Sequence, residues 1–342
     1  MSRRSLIILA SVAAVAVVGA FVGVVVATSG GGGDELTVYT ARSHYGDEKP
    51  FESYAADQGA DLTLFGGSAS ELFERLKSEG DATRGDLLIT VDGANLWRAE
   101  DAGLLLPIRS AALDENVPAG LRDPEGEWYG LTLRARTVMR STDRVGEDDV
   151  TTYAGLGDPR WKDRLCLRSG TSEYNVSFVA DRIAKDGEQE TREMLERWMA
   201  NEPAILGSDT DVLEAIADDR CDVGFTNSYY LGRELEEDAG FPVAPVWADQ
   251  DGRGTHVNLS GVAVVKASDK PEAAKQLVEY LTSPAQQEVF AQNNHEFGVD
   301  PGIETTGEVA RFGSFKRDPI DVAGAGEHLE DAVRMMNDVG WD

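Results

Sequence analysis

Short apolar blocks alternate with longer amphipathic stretches along most of the chain. Short apolar blocks bounded by turn residues predict buried strands. Stretches with apolar residues three and four apart predict helices packed on them. Strands are expected at 36–40, 61–65, 86–91 and 164–168. Another is expected around Val223 and Phe225, ending in a turn at Thr226-Asn227-Ser228 that carries Tyr229 and Tyr230. Helices are expected at 50–56, 69–78, around Asn95-Leu96-Trp97, and at 177–185, 190–199, 212–218, 271–282, 284–292 and 327–336. Ser68 followed by Glu71, and Ser208 followed by Asp211, are capping signals for two of them. Pro271 and Pro284 are placed to start two more. Strand, loop and helix in repeated succession predict a parallel sheet covered by helices, an α/β fold.

Two segments break the alternation. Residues 127–139 and 254–265 are long extended runs, and each reads as a strand crossing between two lobes. A chain of 342 residues exceeds what one hydrophobic core usually serves. The expected division is 1–34 as leader or anchor with a glycine leash, 35–132 as the first part of lobe one, and 133–253 as lobe two. Residues 254–342 then return to lobe one and end in a helical strap. Two crossing strands make a hinge, and the cleft between the lobes suits closure around a ligand.

The N-terminus reads as an export segment. Arg3 and Arg4 precede an apolar run at 6–27, followed by four glycines at 30–33. The run is long enough to span a bilayer, which takes roughly 20 residues. It exceeds the roughly 7–15 residues of a signal-peptide core. Basic residues ahead of it predict the N-terminus inside and the remainder outside. An uncleaved anchor at the outer face of the cytoplasmic membrane is favoured over a cleaved signal releasing a periplasmic or extracellular protein. No cysteine lies near the segment, so attachment of lipid through cysteine is excluded. Export makes a bridge between the two cysteines, Cys166 and Cys221, the favoured reading over two buried thiols. Without a Cys-x-x-Cys motif, thiol redox catalysis is not expected. The net charge of −29 excludes nucleic acid as a partner.

The candidate chemistry is phenolic. His44 and Tyr45 follow the first strand, Tyr174 follows the strand at 164–168, and Tyr229 and Tyr230 follow the next. Ligands in open α/β sheets bind beyond the carboxyl ends of strands. Taken singly, each tyrosine is as well explained by packing or ligand stacking. Together they form a set of hard oxygen donors with one imidazole. A phenol with a pKa near 10 ionises at neutral pH only beside a strong cation. Fe(III) suits several phenolates, whereas Ca²⁺ and Mg²⁺ prefer carboxylates, carbonyls and water, and Zn²⁺ prefers cysteine and histidine. Such binding releases protons and weakens in acid. His256, His295 and His328 are expected at the surface or in packing, and Tyr129 in hinge packing.

Several longer motifs occur in a fixed order. They are Val38-Tyr39-Thr40-Ala41-Arg42-Ser43-His44-Tyr45, Asn95-Leu96-Trp97-Arg98-Ala99-Glu100 and Trp128-Tyr129-Gly130-Leu131-Thr132-Leu133-Arg134-Ala135-Arg136. Asp158-Pro159-Arg160-Trp161-Lys162, Asn227-Ser228-Tyr229-Tyr230-Leu231-Gly232 and Gly254-Thr255-His256-Val257-Asn258-Leu259-Ser260-Gly261 follow. From residue 36 onward the chain resembles the ferric-iron-binding proteins of bacterial ABC importers, the group that uses several tyrosines and one histidine. The resemblance implies a two-lobed type II periplasmic-binding-protein fold with two hinge-crossing strands and a cleft between lobes. It implies Fe(III) held by His44, Tyr45, Tyr174, Tyr229 and Tyr230. Arg42, Arg134 and Arg136 are candidates for a supporting role, toward phenolates or an accompanying anion such as carbonate. The family often has arginine directly before the histidine, whereas this chain has Ser43 there and Arg42 one place earlier.

The expected function is therefore extracytoplasmic capture of Fe(III) by a monomer and delivery to an ABC permease. The chain has no phosphate loop of the form G-x-x-x-x-G-K-[ST], so permease and ATPase would be separate chains. One alternative is a binding protein of the same fold for a small organic anion. A tyrosine-ligated Fe(III) enzyme is the weaker alternative, because five strong donors leave little room for substrate.

Overall fold

The computed structural model describes residues 25–29, 34–42 and 49–342. His44, Tyr45, the glycines at 30–33 and the apolar run up to residue 24 lie outside the described residues. The strands are β1 (Val25–Ser29), β2 (Glu35–Thr40), β3 (Asp61–Gly66), β4 (Leu87–Thr90), β5 (Tyr129–Ser141) and β6 (Leu165–Arg168). They continue with β7 (Ala204–Leu206), β8 (Val223–Asn227), β9 (Val243–Val246), β10 (Val257–Val264) and β11 (Phe297–Gly298). The spatial order is β1-β3-β2-β4-β10-β5-β8-β6-β7, with β9 and β11 also paired to β5. In β1, the last residues of the apolar run are extended and lie antiparallel to β3.

The arrangement divides at β5. From Tyr129 to Ala135 this strand pairs antiparallel with β10, between Val262 and Val257. From Arg136 to Arg140 it pairs with β8, between Asn227 and Val223. One lobe is built on β2, β3 and β4, which run parallel, with β10 and β11 closing it. The other is built on β6, β7 and β8, also parallel, with β9 beside them. All thirteen residues of β5 are buried, as expected of a strand with neighbours on both edges and covered faces. Backbone continuity returns at His256, whose carbonyl accepts from the Arg136 amide at 3.1 Å. Both long extended segments thus cross between the lobes.

The capping signals work as read. Ser68 and Glu71 form a reciprocal capping box on the helix Ala69–Glu79, and Ser208 accepts from the Asp211 amide at the start of Asp209–Ala217. Several helix starts differ from expectation: the helix at 212–218 begins at Asp209 and the one at 327–336 at Leu329. The helix at 177–185 begins earlier, as Glu173–Asp186, and the turn after β8 is the first turn of the helix Ser228–Glu237. The polar run Thr171-Ser172-Glu173 and the run Thr226-Asn227-Ser228 carry turn composition, but they feed straight from strand ends into helices. The C-terminal tail adds a third link between lobes. Helix Val322–Glu327 packs against both Gly93–Asp101 and Glu173–Asp186, and Leu329–Asp338 packs on the latter. Trp341 ends the tail inside the core of lobe two, against Trp198.

Candidate functional site

Tyr174 is the second residue of its helix, and Tyr229 and Tyr230 lie in the first turn of theirs. Both helices start at the carboxyl ends of β6 and β8, which are neighbours in the sheet. The tyrosines are therefore side by side at one end of lobe two, facing lobe one. Tyr174 and Tyr229 are buried in the same apolar cluster as the first-lobe core. The Tyr229 hydroxyl donates to the Tyr174 hydroxyl at 3.3 Å. The rings of Tyr229 and Tyr230 lie 4.2 Å apart. Three of the five predicted ligands are thus brought together. His44 and Tyr45, outside the described residues, come two and three positions after Arg42 in the sequence.

Arg42 is the last described residue before position 43. Its guanidinium is buried, donating to Thr132 Oγ1 at 3.0 Å and Ser260 Oγ at 2.7 Å, and pairing with Glu296 at 2.8 Å. Ser260 Oγ also accepts from Arg134 at 3.2 Å. The Arg134 guanidinium lies 5.1 Å from the centre of the Tyr174 ring. Two side chains, Ser260 and Arg134, therefore connect Arg42 to Tyr174 across the crossing strands. Arg136 faces the other lobe and contacts Asn175, Asp209 and Asn227.

Positive charge surrounds the phenols. Arg168 lies 5.6 Å from the Tyr174 ring centre, and Arg233 lies 5.0 Å from Tyr229 and 5.7 Å from Tyr230. Burial pushes the Tyr229 phenol well above its ordinary pKa, with Tyr174, Tyr230 and Asp209 adding to the effect. A phenolate forms at Tyr229 only if a cation replaces the proton. For Arg168, burial disfavours the charge, but the Asp209 carboxylate, joined by the three tyrosines when they are ionised, outweighs burial and holds it protonated. Glu173, next to Tyr174, is pushed up to about 7 by burial and by the neighbouring Asp92. Its carboxylate accepts from the Ala69 amide of lobe one at 3.3 Å, so the lobes touch here. A cavity of about 700 Å³ opens beside this contact, lined in part by Asn95, Arg98, Arg168 and Ser172.

Cys166 and Cys221 are bridged, with Cα atoms 5.8 Å apart. The bridge joins β6 to the segment entering β8, at the ends remote from the tyrosines. His256, His295 and His328 each face a carboxylate rather than a phenol: Asp181, Glu236 and Asp331. The Tyr129 hydroxyl donates to the Ile108 carbonyl in lobe one. Sequence reasoning did not assign roles to Arg168, Glu173, Asn175, Asp209 or Asn227. All lie within a few positions of a strand end or a tyrosine, but nothing in one sequence distinguishes a buried charge from a solvated one.

Two lobes joined by crossing strands, with clustered phenols at their junction, define a ligand-binding protein of the interlobe-cleft class. More particularly, the chain belongs to the family described as bacterial extracellular solute-binding protein, which matches residues 49–316. It is 39% identical over 325 residues to iron uptake protein A1 of Synechocystis sp. (strain ATCC 27184 / PCC 6803 / Kazusa), covering 92% of this chain and 90% of that protein. Among solved structures it is similar to the Trichodesmium IdiA/FutA protein in complex with iron and citrate, with a TM-score of 0.82 and 36% identity. That match covers 90% of this chain and 100% of the other. The ferric binding protein from Campylobacter jejuni aligns with a TM-score of 0.85 and 31% identity, covering 90% and 100%. The fold is the two-lobed type II arrangement shared with these binding proteins. The relatives are uptake and binding proteins, and this chain is a binding protein rather than an enzyme.

Proposed function

We propose that this protein captures Fe(III) in its interlobe cleft and delivers it to an ABC permease powered by an ATPase on another chain. The phenolates of Tyr45, Tyr174, Tyr229 and Tyr230, with the imidazole of His44, are the ligand set. The observation that carries this reading is the pair of buried phenol oxygens of Tyr174 and Tyr229, 3.3 Å apart beside three guanidinium groups, those of Arg134, Arg168 and Arg233. Two phenols this close and this buried keep their protons unless a hard cation takes their place. The names of the relatives, iron uptake and ferric binding proteins, point the same way. The lobe division at 35–132, 133–253 and 254–342, a monomeric state, and retention of the N-terminal anchor at the outer face of the cytoplasmic membrane belong to the same proposal.

An accompanying anion such as carbonate has specific support. Arg168 Nη1, Ser172 Oγ, Asn227 Nδ2 and Ser228 Oγ are buried polar atoms without a hydrogen-bond partner among the described residues. All four belong to the strand ends and helix starts that carry the tyrosines. The same four atoms also favour a second reading, a binder of a small organic anion.

Purification from iron-replete medium, with a metal count and a visible spectrum, separates the two. One Fe(III) per chain and a phenolate charge-transfer band are expected, and Tyr229→Phe with Tyr230→Phe removes the band. A colourless, metal-free protein that retains an organic anion would overturn the iron reading.

A further inference from the structure

One guanidinium links the segment that carries Tyr174 to the strand end that leads into Tyr229. Arg136 is the first residue of β5 to pair with β8, opposite Asn227. Its backbone is held from both sides: its amide donates to the His256 carbonyl at 3.1 Å, and its carbonyl accepts from the Tyr153 hydroxyl at 2.8 Å. Its side chain is buried. Nε and Nη2 donate to Asn175 Oδ1 at 3.0 and 2.5 Å. Nη1 and Nη2 donate to the two oxygens of Asp209 at 3.0 and 3.2 Å. Nη1 also reaches Asn227 Oδ1 at 3.2 Å, and Nη2 the Phe225 carbonyl at 3.4 Å.

The acceptors matter for where they stand in the chain. Asn175 is the neighbour of Tyr174, and its amide nitrogen donates to the carbonyls of Arg168 and Ser169 at the end of β6. Asn227 is two residues before Tyr229 and directly precedes its helix. Asp209 starts a third helix and accepts from the Asn227 amide at 3.4 Å. The guanidinium therefore fixes the end of β6, the end of β8 and the start of the helix between them, all relative to the crossing strand. A planar fork with five donors can hold three acceptors at fixed angles, and an ammonium cannot. Arg136 does not touch a phenol in any of these contacts.

We propose that Arg136, paired with Asp209, is the positioning residue that sets the spacing of Tyr174 and Tyr229, and through it the ability of lobe two to hold a metal ion. The inference rests on the Fe(III) reading above. Polar partners that orient metal ligands typically contribute 10–100-fold to affinity, and a ligand shell must be held to within about 0.5 Å.

The test uses the full chain and compares wild type with Arg136→Lys. Ferric affinity is measured by competition with citrate, and the phenolate–iron band is recorded on each variant. Lysine keeps the charge opposite Asp209 but cannot serve Asn175 and Asn227 as well. The expected result is a folded protein whose ferric affinity falls at least 10-fold and whose band shifts. A lysine variant with wild-type affinity and an unmoved band overturns the proposal. Where Arg136→Lys fails to fold, Arg136→Met with Asp209→Leu removes both charges together, a replacement that buried ion pairs often tolerate. That double variant is expected to fold and to bind iron at least 10-fold more weakly, and wild-type binding by it overturns the proposal. Val179→Ala, in the lobe-two core away from these contacts, is the control for general destabilisation and leaves the band unmoved. A wild-type protein that binds no iron and shows no band refutes the Fe(III) reading itself. Iron binding that survives loss of the fork refutes only the positioning role.

Discussion

Replacing Cys166 and Cys221 together with alanine removes a cross-link whose cost can be worked out from the chain. The two residues are 55 apart in sequence. Opening a loop of that length returns conformational entropy to the unfolded chain worth about 4 kcal/mol at 25 °C. The native side adds little, because both cysteines sit in an apolar pocket with Val212, Ile216 and Leu231, where an alanine leaves only a small void. At about 2.1 cal/mol/K of unfolding entropy per residue, a chain of 342 residues shifts its midpoint by only about 1.5 °C per kcal/mol, so a fall of about 6 °C is expected. Thermal and urea unfolding by circular dichroism, with reduced wild type alongside, provide the measurement. The tyrosines lie at the opposite ends of β6 and β8, held by their own hydrogen bonds. Ferric affinity at 20 °C should therefore change less than threefold. A double variant that melts within 2 °C of oxidised wild type would refute the loop-entropy reasoning. One that melts normally but loses iron would show that the bridge shapes the site itself.

Other expectations concern the contacts around the site and at the tail. Glu296→Gln removes the carboxylate charge from the buried Arg42–Glu296 ion pair, and a loss of roughly 3–5 kcal/mol in urea unfolding is expected. A Cβ at Gly170 would collide with the Trp341 carbonyl. Gly170→Ala should displace the C-terminal tail at a cost of about 1–3 kcal/mol, seen as faster tail proteolysis and absent if the tail is only loosely docked. Hydrogen bonds from Arg164, with help from Arg144 and against partial burial, hold the Asp222 carboxyl below the usual carboxylate range. Its stabilisation is therefore full above the unfolded value near 4 and disappears as pH falls through the lower folded value. Asp222→Asn should cost up to about 1 kcal/mol at pH 7 and nothing once the pH is below both values, a difference that unfolding curves at the two pH values will expose. If the phenols hold iron, each one that releases a proton on binding weakens apparent affinity up to tenfold per pH unit of acidification. Citrate competition between pH 5 and 8 gives that slope, and a flat profile would exclude phenolate ligation.

The strand–helix alternation, the two crossing segments and the capping signals at Ser68 and Ser208 were readable because they depend on neighbours a few residues away. Periodicity and cap chemistry are local, and local order is written in composition. The pairing of Cys166 with Cys221 was legible for a different reason, the compartment. Tyr174, Tyr229 and Tyr230 could be picked out as unusual chemistry beyond strand ends. That two of them share a hydrogen bond depends on β6 and β8 being neighbours in the sheet, a pairing between segments more than fifty residues apart.

Tertiary structure alone assigned the arginines. Arg42, Arg134 and Arg136 look alike in sequence, but one is tied to Glu296 and Ser260, one lies over the Tyr174 ring, and one joins Asn175, Asp209 and Asn227. A guanidinium buried without acceptors would be prohibitively costly, so its role is fixed by whichever carboxylates and carbonyls the fold brings to it. Those partners come from distant segments: Glu296 lies 254 residues from Arg42, and Asp209 lies 73 from Arg136. The sequence by itself determined which donors this protein carries and in what order. Only the folded chain decided which of them meet, because contact across a sheet is set by strand order and burial, and neither is a property of adjacent residues.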